Sequence, residues 1–219
     1  MINRVRLIFL FSIFSLWAVH NSTLIGELRF LENIASFRED PLRWKKSLRK
    51  LQVQFGLKSN QFVILVSISK QKLYLIKGGK VVKIYLVSTS KYGIGNEEGS
   101  NKTPLGTHCI CEKIGKNAEI GTIFKMGINT RRIAEIYIDS TDLEEDPITT
   151  RIMWLEGLEA GINRGKGIDS YKRHIYIHGT PEEGLIGQPA SHGCIRMRNK
   201  DVIELFDLVS KGTLVEIQE

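Results

Sequence analysis

At 219 residues, with 42% hydrophobic and 25% charged side chains, the chain is long enough to bury a substantial core without disulfides, and its length suits one domain behind a leader. Its net charge of +7 favours anionic surfaces, but the 31 Lys and Arg residues are dispersed and no zinc-finger or RNP-like pattern accompanies them, which argues against a nucleic-acid partner. Three cysteines are an odd number, compatible with one thiol kept free, and Cys109-x-Cys111 lacks the fourth ligand and the spacing of a structural zinc site.

Arg4 and Arg6 precede an apolar run over residues 7–19, broken only by Ser12 and Ser15, which is the order of an export leader. The run is shorter than the ~20 residues of a membrane span. Residues through Ile25 extend it, and no A-x-A cleavage site precedes Asn21. Residues 1–25 are therefore read as a signal peptide or an N-terminal membrane anchor. The expected location is outside the cytoplasm, with the protein soluble after cleavage or attached to the membrane. Residues 26–60 read as a helical juxtamembrane or linker region. Leu28, Leu31, Ile34 and Phe37 recur mainly every third position, and Asp40 offers an N-cap ahead of Pro41. Beyond it Trp44, Leu48 and Leu51 share one helix face, while Lys45, Lys46, Arg49 and Lys50 stay wet.

From Gln61 the pattern changes to strands, and residues 61–219 read as one domain. FVILVSIS, KLYLIK and KVVKIYLVST are strand-like, with Gly78-Gly79 as the turn between the last two, so an antiparallel sheet is expected. Residues 88–106 form a polar, turn-rich loop; its Gly93-Ile94-Gly95 lacks a Walker lysine or a dinucleotide fingerprint, and a loop bordering a substrate cleft fits better. Strands are expected again at residues 108–111 and 132–138. Cys109 and Cys111 on one strand face are too far apart to bridge each other. Residues 139–147 are an acidic turn whose Asp142, Glu144, Glu145 and Asp146 show no glycosidase-like pairing. Residues 150–158 are read as a short helix, followed by a glycine-rich basic stretch. Together they suggest a lid or insertion, with Trp154 packing its base and Arg164 offered to a substrate carboxylate. Near the end Asn199 is placed to cap a helix whose Val202, Leu205, Phe206 and Val209 form an apolar stripe, with Gly212 as its stop and TLVEIQ as a closing strand.

The chemistry concentrates in residues 173–197. A short apolar strand over residues 175–177 delivers His178 and Gly179, and the chain returns through a Pro/Gly-rich connection to Ser191-His192-Gly193-Cys194-Ile195-Arg196. Cys194 is the expected nucleophile, since a thiol becomes reactive when a neighbouring imidazole takes its proton. His178 is the first choice of base, with the Gly179 carbonyl orienting its other ring nitrogen. His192 stays open as an alternative, because positions 192, 194 and 196 point the same way in an extended chain. Gly193 lets the backbone approach a carbonyl, with the Gly193 and Cys194 amides as oxyanion donors. Arg196 is placed to bind a substrate carboxylate or to support the thiolate.

His178-Gly179-Thr180 followed by Ser191-His192-Gly193-Cys194-Ile195-Arg196-Met197 resembles the active-site pattern of the YkuD-type L,D-transpeptidases, and Lys102-Thr103-Pro104-Leu105-Gly106 resembles their TPxG element. The resemblance extends over residues 61–217. It implies a mainly β fold, an antiparallel sheet or sandwich with short helices around the catalytic return. It further implies Cys194 as the acylated nucleophile, His178 as the base and Gly179 as its orienter. His192 and Arg196 would support the pocket and Ser191 would shape its entrance. The implied substrate is a peptidoglycan tetrapeptide donor, which loses its terminal D-Ala to a thioester on Cys194. The acyl group then passes to an amine acceptor, a second stem giving a 3-3 cross-link or a wall-linked protein. With water as the acceptor the same scaffold is an L,D-carboxypeptidase or releases a wall-linked protein, and a noncatalytic wall-binding protein is the remaining reading. No metal or organic cofactor is required.

Overall fold

The computed structural model describes residues 41–219. The expected leader, the apolar repeat at Leu28, Leu31, Ile34 and Phe37, and the Asp40 cap lie outside the described residues. Among the described residues no helix is long and apolar enough to cross a membrane. Contacts divide the chain into two units, 1–47 and 48–219, and every strand among the described residues lies in the second.

Helix α1 (Pro41–Phe55) begins at its proline, whose fixed φ and missing N–H suit a first helical turn. Lys45, Lys46 and Arg49 are exposed as expected. Lys50 departs from that reading: it is partly buried, with Nζ 2.8 Å from Glu159 and 3.1 Å from Glu216. Strands β1 (Phe62–Ser67) and β2 (Lys72–Lys77) are buried along nearly their whole length, which is why their sequences run apolar rather than alternating. Gly78 and Gly79 adopt φ of +60° and +72°, which only glycine enters without strain, and so turn β2 tightly into β3 (Lys80–Leu86).

The remaining strands are β4 (Gly106–Ile114), β5 (Thr122–Lys125), β6 (Ile128–Ile133), β7 (Ile148–Gly157), β8 (Tyr176–Gly179), β9 (Ile195–Met197) and β10 (Leu214–Gln218). Their order is β3-β2-β1-β10-β4-β7-β5-β6, with β8 joined to β7 and β9 to β8. The sheet is mixed, not wholly antiparallel: β1 and β10 run parallel, as do β8 and β9. Hairpins give antiparallel neighbours, but β10 returns from the far end of the chain, and residues 180–194 form a crossover long enough for β9 to lie parallel to β8.

Residues 150–158 correct the expected helix, because they lie mostly in strand β7. A segment buried on both faces shows no period of two, so its β-branched Thr149, Thr150 and Ile152 were the better guide. The strand expected over residues 132–138 stops at Ile133, and Tyr137 makes only an isolated bridge with Glu182.

Helix α2 (Asn199–Leu208) buries Val202, Leu205 and Phe206 in the main core. Asn199 does not cap it with its side chain. Its Oδ1 accepts the hydroxyls of Thr149 (2.8 Å) and Thr150 (2.5 Å), and its Nδ2 donates to the Thr180 carbonyl (2.8 Å). Glu183 accepts the Asn199 N–H instead (2.8 Å), placing a carboxylate at the positive end of the helix. The consequence for the site is alternation. Ile177, Ile195 and Met197 enter the main core with the apolar stripe of α2, so Tyr176, His178 and Arg196 face the other way, and Cys194 packs in the cluster of Tyr176.

Candidate active site

Pairing of Ile177 with Ile195 and of His178 with Arg196 places Tyr176 beside Cys194, one pleat from His178 on the same face. The Cys194 thiol donates to the His174 carbonyl (3.3 Å) and accepts the Tyr176 N–H (3.4 Å). His174 presents that carbonyl from a left-handed conformation, φ +55°. Loss of water around the return pushes the thiol above its ordinary range. The Tyr176 N–H opposes this rise, Asp146 adds to it, and Arg173 and Arg196 pull it down. Cys194 as a residue is only partly buried, so the rise is smaller than full burial would give.

His178 is buried, and its Nδ1 lies 2.8 Å from the Gly179 carbonyl. That partner can only accept, so Nδ1 carries the proton and Nε2 is the basic nitrogen. Burial lowers the His178 pKa, against the upward pull of Asp146 and the Gly179 carbonyl, and keeps the imidazole neutral. No hydrogen bond joins Nε2 to Sγ among the described residues, and burial favours the neutral form of both groups. Gly179 is required by space. A Cβ there would lie 2.6 Å from Asn199 Oδ1 and 2.8 Å from the Thr149 carbonyl.

The return does not follow strand parity before Ile195. Gly193 sits at φ +122° and breaks the extended run, so the ring of His192 is not aligned with Cys194 and Arg196 by the pleat. The His192 ring instead tilts against Tyr92, 5.6 Å between centroids, and its backbone N–H donates to Asp146 Oδ2 (2.8 Å). The Gly193 N–H, an expected oxyanion donor, points to Ser191 Oγ (3.2 Å). Ser191 is fully buried and its hydroxyl donates to the Cys194 carbonyl (2.6 Å), so it closes the turn rather than shaping an entrance. Thr103 of the KTPLG element donates to the Gly193 carbonyl (3.0 Å), and Ser88 pairs with Arg196, which lays the 88–106 loop along the return.

Arg196 is not available to a substrate carboxylate. It is wholly buried, and Nη1 donates to Asp146 (3.0 Å) and Glu182 (2.5 Å) while Nη2 donates to Ser88 Oγ (3.3 Å). Arg164 is also engaged, 3.7 Å from Glu156, and takes no part in the contacts of the return. Trp154 does reach the site, but from strand β7 rather than a lid helix. Its ring stacks on Tyr171 (4.5 Å), meets Tyr176 edge-on (5.0 Å) and lies 5.2 Å from the His174 ring, forming an aromatic wall in the cluster that contains Cys194. Cys109 and Cys111 are free thiols raised in pKa by burial, Cys111 to about 11. Among the described residues no group of three His, Cys, Asp or Glu side chains is placed to hold a metal ion.

The residues missed in the sequence are Asp146, Glu182, Arg173, His174 and Tyr176. Asp146 was visible only as one of four clustered carboxylates, and nothing in one dimension tied it to Arg196 fifty residues on. Tyr176 had a usable signal, since it shares the parity of His178 two positions later.

Comparison with known proteins follows this geometry. The YkuD family, described as the L,D-transpeptidase catalytic domain, matches residues 61–217. Over 46 residues, 21% of this chain and 28% of the relative, the chain is 56% identical to the "Putative L,D-transpeptidase YkuD" of Bacillus subtilis (strain 168). Over 156 residues, 70% of this chain and 43% of the relative, it is 30% identical to the "Probable L,D-transpeptidase ErfK/SrfK" of Salmonella typhimurium. It therefore spans less than half the length of these relatives. Among solved structures it is similar to an L,D-transpeptidase from Mycobacterium smegmatis, at TM-score 0.45 and 18% identity over 73% of this chain and 59% of that one. L,D-transpeptidase 3 from Mycobacterium tuberculosis gives TM-score 0.41 and 19% identity over 72% and 60%. The assignment rests on the sequence match, which runs from the start of β1 into β10: this chain belongs to the YkuD family of L,D-transpeptidase catalytic domains.

Proposed function

We propose that the chain is a cysteine acyltransferase acting on peptidoglycan stems. The observation that carries this reading is that the Cys194 thiol accepts the Tyr176 N–H of β8 while His178 stands two residues on along the same strand, with the Gly179 carbonyl fixing Nε2 as the basic nitrogen. Sγ attacks the carbonyl that precedes the terminal D-Ala, and the thiol proton passes to His178 Nε2. Collapse of the tetrahedral intermediate breaks the C–N bond, His178 returns the proton to the departing D-Ala amine, and a thioester remains. An acceptor amine then attacks the thioester, gives its proton to His178 and restores the thiol. A diaminopimelate side-chain amine as acceptor gives a 3-3 cross-link. The Cys194 amide is the donor assigned to the developing oxyanion.

The free geometry needs tightening before proton transfer, since Nε2 and Sγ are not hydrogen-bonded; catalytic contacts of this kind commonly shorten only when substrate binds. A substrate of this class lies outside the cytoplasm, consistent with reading residues 1–25 as an export leader or anchor. Incubation with a defined disaccharide-tetrapeptide, followed by mass measurement of products and intact protein, tests the proposal. The expected result is an acyl adduct on Cys194 with loss of D-Ala, absent in Cys194→Ala and strongly reduced in His178→Ala. Addition of an amine acceptor is expected to convert the adduct into a cross-linked dimer. Equal turnover by Cys194→Ala overturns the mechanism.

A further inference from the structure

Both arginines read from the sequence as carboxylate anchors are engaged elsewhere, Arg196 with Asp146 and Glu182 and Arg164 with Glu156. A transpeptidase that discriminates charged stem termini needs a cation next to its thiol. A cleft of about 160 Å³ provides one: Lys172 and Arg173 border it together with Glu98, His174 and His192. The thiol belongs to the same neighbourhood, because its hydrogen-bond acceptor, the His174 carbonyl, is one residue beyond Arg173.

Arg173 is held rather than free. Nη1 donates to the Gly95 carbonyl (3.2 Å), and Nη2 donates to the Lys102 carbonyl (2.7 Å) and Ser100 Oγ (3.4 Å). These partners are dipoles and leave the positive charge uncancelled. Among the described residues neither Arg173 nor Lys172 makes an ion pair. Glu98 and Glu97 act on Arg173 through space without pairing to it. A partly buried guanidinium without a counter-ion, pre-set in position by three loop contacts, gains more from an incoming carboxylate than a mobile surface cation does.

We infer that Arg173, assisted by Lys172, is the carboxylate anchor of this site, selecting substrates whose free carboxylate lies next to the reacting group. This assignment rests on the acyl-transfer reading. The carboxylate has two sources, the terminal D-Ala of the donor and the carboxyl beside the acceptor amine, and both present the same chemistry to Arg173.

The test measures kcat and KM for the full chain with a disaccharide-tetrapeptide donor bearing a free terminal carboxylate and with its C-terminal carboxamide. A second arm compares diaminopimelate-containing acceptors with that carboxyl free or amidated. Wild type is expected to prefer the carboxylate form in one arm by about tenfold, the scale of one charge-assisted contact. The arm that shows the preference identifies the source. Arg173→Gln is expected to abolish the preference by raising KM for the carboxylate form alone, Arg173→Lys to retain part of it, and the exposed Lys172→Gln to reduce it without affecting folding. Equal losses on carboxylate and carboxamide substrates in Arg173→Gln and Arg173→Lys, with an unchanged preference in Lys172→Gln, overturn the anchor, leaving Arg173 as a staple of the 95–102 loop. No Cys194 adduct from wild type with either donor overturns the acyl-transfer reading and the anchor with it, an outcome separable from equal losses by an active enzyme.

Discussion

Burial disfavours the charged form of both Cys194 and His178, which bears on how the thiol would be activated. Burial raises the thiol and lowers the imidazole, so each shift opposes a standing thiolate–imidazolium pair. Alkylation of Cys194 by iodoacetamide, followed by peptide mass mapping, is accordingly expected to be slow at neutral pH. Its rate should keep rising above the ordinary thiol pKa of about 8.5. A plateau already reached by pH 7 would show a preformed thiolate instead. The buried group around Arg196 makes a second residue-scale prediction, because two carboxylates face one guanidinium. Replacing Glu182 by Gln still leaves Asp146 opposite Arg196, so the loss is about 1.5–3 kcal/mol, one charged hydrogen bond. Arg196→Met leaves two buried acids without their cation and is expected to cost more, about 3–5 kcal/mol, or to prevent folding. Urea midpoints of the two variants decide the order, and a milder effect of Arg196→Met contradicts the reading.

At the scale of elements, the short pair β8 and β9 depends on packing beneath it and on close approach at its end. Ile195 is fully buried in the main core, so Ile195→Ala is expected to lower stability by about 2–5 kcal/mol. Gly179→Ala acts differently. Its new Cβ collides with Asn199 Oδ1 and the Thr149 carbonyl, so the strand end must shift and carry the His178 orienter with it. Acyl-adduct formation by Gly179→Ala should therefore fall more steeply than that of Ile195→Ala at temperatures where both remain folded. These elements also show what the sequence disclosed. The Gly78-Gly79 turn, β1 to β3 and the stripe of α2 were legible because each rests on local periodicity or turn chemistry. Strand β7 was not, since burial on both faces erases its alternation and allows a helical reading. The contacts of Asp146 and Glu182 with Arg196 were not, because they join residues that only the sheet order brings together. Ser191 was misassigned for a related reason: its place in the motif does not reveal that its hydroxyl is turned inward.

Across the whole molecule, His108 on β4 ties the sheet to the segment that supplies Arg173 and His174. Nδ1 lies 3.0 Å from the Gly106 carbonyl and Nε2 lies 3.0 Å from Ser170 Oγ, so the neutral ring donates through one nitrogen and accepts through the other. Burial lowers its pKa to about 4, against the upward pull of the Gly106 carbonyl and Glu159. The unfolded chain therefore binds a proton near pH 6.5 that the folded chain refuses until about pH 4. Stability is full above the unfolded value and declines as pH falls through that window, by on the order of 3 kcal/mol from this residue. His178 is lowered too and adds in the same direction. Glu159, which burial would raise but Lys50 and Thr107 bring down, adds a further loss below the ordinary carboxylate range. Urea denaturation from pH 7 to pH 4 is expected to show the decline, and His108→Gln, less stable at neutral pH, should show a flatter one. Ser170 accompanies His108 in this linkage, so donor KM should rise with acid in wild type before secondary structure is lost. An unchanged pH slope in His108→Gln would remove His108 from the account and place the acid sensitivity with His178 and the Lys50–Glu159 contact.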